Sequence, residues 1–126
     1  MNRELKFRAW IDDDVEMSYS NTHDTLGQFF CWLEEEFWDN SYHIMQFTGL
    51  KDKNGQEIYE GDILSFPTSN WINREVQVVW YEKQHCWALK NNHGIQHTTS
   101  GGRAYLIDGK HLEIIGNIYE NPELLK

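Results

Sequence analysis

Apolar residues alternate from the start of the chain: Leu5, Phe7, Ala9 and Ile11 are interleaved with Lys6, Arg8 and Trp10. After a break at Asp12, Asp13 and Asp14, the alternation resumes through Val15, Met17 and Tyr19. Period two on both sides of an acidic turn predicts a hairpin. From Asp24 the period lengthens, with Leu26, Phe29, Phe30, Leu33 and Phe37 recurring at three and four. That spacing predicts an amphipathic helix from Asp24 to Trp38, capped by Asp24 or Thr25 and ending near Asp39-Asn40. Gly27 weakens its first turn slightly.

Ile44 to Phe47 leads into FTGLKDKNGQEIYEGDIL, in which Gly49, Gly55 and Gly61 stand at intervals of six. Such a stretch either holds a ligand or bends the backbone. Asn54-Gly55 accepts positive φ at low cost, so MQFTGL and QEIY can pair across Asp52 to Gly55. Glu60-Gly61-Asp62 then turns the backbone into a strand at Ile63, Leu64, Ser65 and Phe66. A phosphate cradle calls for Gly-Lys-Ser or Gly-Lys-Thr and a helix whose N-terminus receives the anion, and neither follows Gly61. The stretch therefore reads as turns.

Beyond a loop around Pro67 to Asn73, EVQVVWY and CWALK are strands that pair across Glu82 to His85. NNHGIQHTTSGG is polar and glycine-rich, and is expected to be the most mobile segment. The tail offers AYLI, a turn at Asp108-Gly109, LEII, Gly116-Asn117, IYE and a helical turn begun by Pro122. Short strands dominate after Met45, and no helix there is long enough to carry parallel crossovers. The expected fold is α+β and mostly β: a small antiparallel β-barrel or strongly bent sheet, with the N-terminal hairpin and one amphipathic helix packed beside it. The 126 residues are expected to form one domain, with a hairpin-helix lobe over about 1–45 and a β-rich lobe over about 46–126.

An aromatic share of 14% argues against disorder. Cys31 and Cys86 are too few for a disulfide framework and lack Cys-x-x-Cys spacing, which suits reduced thiols in a cytoplasm. The opening residues are charged and no apolar run approaches the roughly 20 residues that span a bilayer, so neither secretion nor membrane insertion is expected. Charge is distributed unevenly. No Lys or Arg occurs between Arg8 and Lys51, while that interval holds Asp12, Asp13, Asp14, Glu16, Asp24, Glu34, Glu35, Glu36 and Asp39. Those nine acids account for the whole formal charge of −9, because acids and bases balance over the rest of the sequence. A phosphate backbone is repelled there.

Three separated pieces carry a resemblance to known proteins. KFRAWI near the start, MQFTGLKDKNGQEIYEGDIL in the middle and LEIIGNIYENPELL at the end resemble the YopX family, small proteins of phages and prophages in Gram-positive bacteria. The resemblance runs from Lys6 to Leu125, and the helix at 24–38 and the loops at 67–74 and 91–103 depart from it. It implies a phage-encoded protein of the host cytoplasm with no established function and no catalytic residues to carry over. The matching motifs consist of turn glycines, Asn-Gly and alternating apolar residues, which a fold demands. None supplies a nucleophile with its base.

Chemistry-bearing constellations are sparse. His93 and His97 stand four apart with Cys86 upstream, but Asn-Asn-His-Gly reads as a turn and not as a helix that would put both imidazoles on one face. Asp12-Asp13-Asp14-Val15-Glu16 lacks the alternate ligands, central glycine and distal glutamate of a calcium loop, and reads as a solvated hairpin tip. Cys31 has acidic neighbours, which disfavour a thiolate. No cofactor and no metal is expected. Lys6, Arg8 and Trp10 share one strand face, which keeps a nucleic-acid-binding small barrel as the alternative reading; the remaining bases are scattered singly.

The helix holds what is left over. Leu26, Phe29, Phe30, Leu33 and Phe37 fall within about 100° of one another on a helical projection and complete a core stripe. Trp32 and Trp38 lie off it on opposite flanks. Either another part of the fold or a second copy of the protein covers them, or they form, with Glu34, Glu35 and Glu36, a recognition surface for a basic host or phage protein. The sequence thus favours a non-enzymatic protein-binding accessory protein acting through its acidic, aromatic N-terminal half.

Overall fold

A computed structural model describes residues 5–37, 39, 41–67, 73–98 and 112–125. Its strands are β1 (Phe7–Ile11), β2 (Glu16–Tyr19), β3 (Tyr42–Lys51), β4 (Glu57–Tyr59), β5 (Asp62–Pro67), β6 (Asn73–Tyr81), β7 (Cys86–Asn91), β8 (Gly94–Thr98) and β9 (Glu113–Asn117). One α-helix, α1 (Leu26–Glu36), occurs among the described residues. The fold is α+β and mostly β, with a curled half-barrel sheet and a second sheet. The molecule divides into two compact units, Met1–Phe47 and Thr48–Lys126.

In the N-terminal unit the predicted hairpin forms. β1 and β2 pair from Arg8↔Tyr19 to Ile11↔Glu16, which leaves residues 12–15 as its tip. β3 pairs with the other edge of β1, from Phe7↔Gln46 to Ile11↔Tyr42. Thr25 caps α1, its hydroxyl accepting the Gln28 N–H at 3.1 Å. The helix stops at Glu36, where the Phe37 N–H donates to the Leu33 carbonyl at 3.0 Å. This end falls earlier than the periodicity predicts. Three consecutive carboxylates at the negative end of the helix dipole, with no base in the last turn, oppose a further turn. Period two and period 3.6 meet in the core, where Ala9 and Ile11 of β1 pack with Phe29 and Leu33 of α1. Phe7, Phe30, Trp32, Phe37 and Tyr42 close around that cluster.

The C-terminal unit begins at the glycine-spaced stretch, which is built of turns. The Asp52 N–H donates to the Gln56 carbonyl at 2.8 Å and the Gly55 N–H to the Asp52 carbonyl at 3.0 Å. This is a three-residue hairpin loop whose last residue, Gly55, lies at φ +82°, as expected of a type I turn closed by a left-handed glycine. Asn54 keeps a negative φ, so one residue of the Asn-Gly pair supplies the turn. Asp52, itself buried, holds the loop from within: its Oδ1 accepts the N–H groups of Asn54 and Gln56, both at 2.9 Å. At the next turn the Gly61 N–H donates to the Val78 carbonyl and its carbonyl accepts the Ile118 N–H, both at 2.9 Å.

The five-stranded sheet has the order β8-β7-β6-β5-β9, and each of its neighbouring pairs is antiparallel. β6 and β7 join through Glu82–Gln84 and His85, as the two predicted strands require. Two expectations are corrected. The polar run after Asn91 is not loop throughout: it turns at Asn91↔Gly94 and continues as β8. An edge strand needs a partner for its backbone and not an apolar side-group pattern, so its polarity concealed it. In the tail, Gly116 and Asn117 belong to β9, and the turn falls on residues 118–120 where IYE reads as a strand. Asn117 Oδ1 dictates that turn by accepting the N–H groups of Tyr119 at 3.0 Å and Glu120 at 2.9 Å. AYLI, the Asp108-Gly109 turn and the remainder of the 91–103 segment from residue 99 lie outside the described residues. The unit's core consists of Ile58, Leu64, Val76, Val78, Leu89 and Leu112.

Candidate functional site

The hairpin tip meets the start of β3. Ile11 sits opposite both Glu16 and Tyr42, so β3 enters the sheet beside the tip. The Asp12 N–H donates to the Ser41 carbonyl at 3.0 Å, and His43 Nε2 lies 3.1 Å from Asp12 Oδ2. Asp12, Asp13, Asp14 and Glu16 of the hairpin, Glu34, Glu35 and Glu36 of the last helical turn, and Asp39 are all exposed. Val15, among them, is 72% exposed.

Of the residues singled out from the sequence, Glu34, Glu35 and Glu36 are exposed together on that turn, and Trp32 is half-buried. The Trp32 ring has its centroid 5.1 Å from that of His23, 5.4 Å from that of Phe37 and 6.2 Å from that of Phe29. It flanks the core stripe, of which Phe29 and Leu33 are fully buried while Leu26, Phe30 and Phe37 are half-buried. Trp38 lies outside the described residues.

The strand face considered for nucleic acid is closed. Arg8 and Trp10 are buried, at 4% and 7% exposure, and the Lys6 ammonium lies over the Phe47 ring at 5.3 Å. Their burial withholds this cation and indole from a phosphate backbone. His93 sits in the turn that precedes β8, its N–H donating to Asn91 Oδ1 at 2.8 Å. Among the described residues no group of three or more His, Cys, Asp and Glu is gathered for a metal, and no helix is long and apolar enough to cross a membrane.

Hydrophobic periodicity does not single out the Trp80–Trp87 pair. The two residues face each other across β6 and β7 with ring centroids 5.2 Å apart, edge to face. Trp80 is 44% exposed and its Nε1–H donates to Glu82 Oε2 at 2.9 Å. Their equal distance from the turn at Glu82 to His85 was the available signal, since residues symmetric about a hairpin turn become cross-strand neighbours. Trp87 also borders an apolar cavity of about 10 Å³ lined by Leu50, Ile58, Leu64, Val78 and Leu89 among others. That is space for about one water molecule, a packing gap in the core and not a ligand chamber.

The sequence model of the YopX protein family matches residues 6–126. No curated protein matches this sequence. Among solved structures it is similar to the crystal structure of protein EF1440 from Enterococcus faecalis, with 23% identity over 99% of this chain and 100% of that one and a TM-score of 0.55. At that identity the likeness concerns the fold. With almost the whole sequence matched, the protein belongs to the YopX family.

Proposed function

We propose that this YopX protein is a non-enzymatic accessory protein, phage- or prophage-encoded and working in the host cytoplasm, that binds a basic surface on a host or phage protein through the exposed acids of its N-terminal unit. The observation that carries this reading is that all nine acids between Arg8 and Lys51, an interval without Lys or Arg, are exposed. Glu34, Glu35 and Glu36 crowd the last turn of α1, where they repel each other and oppose the helix dipole. A cationic partner relieves both terms, and the field of these acids steers it to the site. Trp32, flanked by His23 and Phe37, supplies an aromatic edge beside Glu35 and Glu36, of the kind that anchors an interface once desolvated.

Crosslinking the purified protein in cell extract and identifying the captured protein supplies the partner for a kinetic test. Reversal of Glu34, Glu35 and Glu36 to lysine is expected to slow its association at least about tenfold at low salt and to flatten the salt dependence. A partner that binds the reversed variant as fast as the native protein sinks this reading. Labelled single- or double-stranded nucleic acid is expected to show no shift with the native protein at low salt.

A further inference from the structure

We infer that Asn54 is a latent modification site, open to intramolecular deamidation, and that the buried Asp52 carboxylate keeps it silent in the folded protein. Asn54 and Gly55 are both exposed, and no atom beyond Gly55 and its chain neighbours lies within 4 Å of where a Cβ on Gly55 would stand, so no other part of the fold crowds Gly55. In the reaction, the backbone nitrogen of Gly55 loses its proton and attacks the amide carbon, Cγ, of Asn54. A new bond from that nitrogen to Cγ closes a five-membered imide, the bond from Cγ to the Asn54 amide nitrogen breaks and ammonia leaves. Water then opens the imide at either carbonyl, giving aspartate or, with one extra carbon in the backbone, isoaspartate. Water is the only co-reactant and no oxidant or reductant takes part.

The native turn opposes the first step twice. The Gly55 N–H is already donated to the Asp52 carbonyl at 3.0 Å, which stabilises the proton that must leave. The same nitrogen has to swing towards the Asn54 amide, but Asp52 Oδ1 holds the N–H groups on either side, those of Asn54 and Gln56, at 2.9 Å each. Attack therefore waits for the turn to open locally. Once isoaspartate forms, the lengthened backbone no longer returns Gly55 to the Asp52 carbonyl. Because Asp52 Oδ2 also accepts the Ile114 N–H, the damage reaches β9.

Mass spectrometry of tryptic fragments after incubation at mildly alkaline pH, with isoaspartate detected by enzymatic methylation, reads the reaction. The native protein is expected to deamidate at Asn54 at least about tenfold more slowly than the same protein in denaturing urea, as an opening equilibrium of that size requires. Asp52→Ala, with its fold checked by circular dichroism, is expected to close most of that gap. Equal rates in the folded and unfolded states, or a folded Asp52→Ala protein that deamidates at the native rate, overturns the inference. Should Asp52→Ala fail to fold, native-state exchange of the Gly55 amide decides instead: protection by at least about tenfold supports the latch, and exchange at the free-peptide rate refutes it.

Discussion

Asp52 and Ile114 are 62 residues apart in sequence, yet Asp52 Oδ2 accepts the Ile114 N–H at 3.1 Å. With Oδ1 bound to Asn54 and Gln56, one buried carboxylate ties the hairpin loop to β9, and the Lys53 N–H adds a second tie to the Leu112 carbonyl at 2.9 Å. Asp52→Ala leaves three N–H groups without this acceptor and is expected to destabilise the protein by about 3 kcal/mol, since buried bonds to a charged acceptor are among the stronger ones. Thermal melting is expected to shift down by about 10 °C. An unchanged melting temperature would show that the carboxylate is dispensable.

Two glycines test two different reasons for glycine. Gly55 stands at φ +82° in open space, so Gly55→Val adds backbone strain without a clash and is expected to cost about 1–3 kcal/mol. Gly116 is different: a Cβ there meets Asn121 Oδ1 at 2.5 Å and Asn121 Cγ at 2.8 Å, and Asn121 Oδ1 is the acceptor for the Asn117 N–H. Gly116→Ala is expected to displace Asn121 and lose that bond, and Gly116→Ala combined with Asn121→Ala to lose less than the two single losses added together. Strict additivity in urea titrations would mean the two residues do not interact.

The legible parts of the fold are those where the local pattern and the tertiary partner agree. Phe7, Ala9 and Ile11 announce β1 by alternation, Phe29 and Leu33 announce α1 by spacing, and the same residues then meet in one core. β8 was not legible, because an edge strand of Gly94, Ile95 and Gln96 is defined by the backbone of β7 and carries no apolar signature. The role of Asp52 was hidden for a related reason: its partners on β9 lie far away in sequence, and a lone acid in a turn looks solvated. For the candidate site, the acid count was visible in the sequence, while the half-burial of Trp32 among His23, Phe29 and Phe37 required the fold. The burial of Arg8 and Trp10 was likewise not legible, because alternation assigns residues to a face without saying whether that face is covered.

Val15 offers a test in which stability is expected to rise. It lies at φ 50°, where a β-branched residue is strained, and at 72% exposure its apolar surface gains little in return. Val15→Asn keeps the turn while removing the branch, and is expected to stabilise the fold by about 1 kcal/mol. A lower melting temperature for the variant would show that Val15 makes contacts that outweigh its backbone strain.

The acidic N-terminal unit makes a prediction that needs no partner. With Glu34, Glu35 and Glu36 at the negative end of α1 and Asp12, Asp13, Asp14 and Glu16 crowded along the hairpin, the folded N-terminal unit stores like-charge repulsion that the unfolded state largely escapes. Raising the salt from about 0.01 M to about 0.15 M shortens the screening length from roughly 30 Å to roughly 8 Å, and is expected to raise the melting temperature by a few degrees. Reversing the three glutamates to lysine complements the helix dipole and lowers the net negative charge of the unit. The variant is therefore expected to melt higher than the native protein at low salt and to lose, or invert, the gain on adding salt. If binding a basic partner is what the carboxylates serve, the variant that folds best is also the one that associates slowest, opposite signs that general damage to the fold cannot produce. A reversed variant that melts lower at low salt would mean the glutamates hold local contacts that outweigh their mutual repulsion.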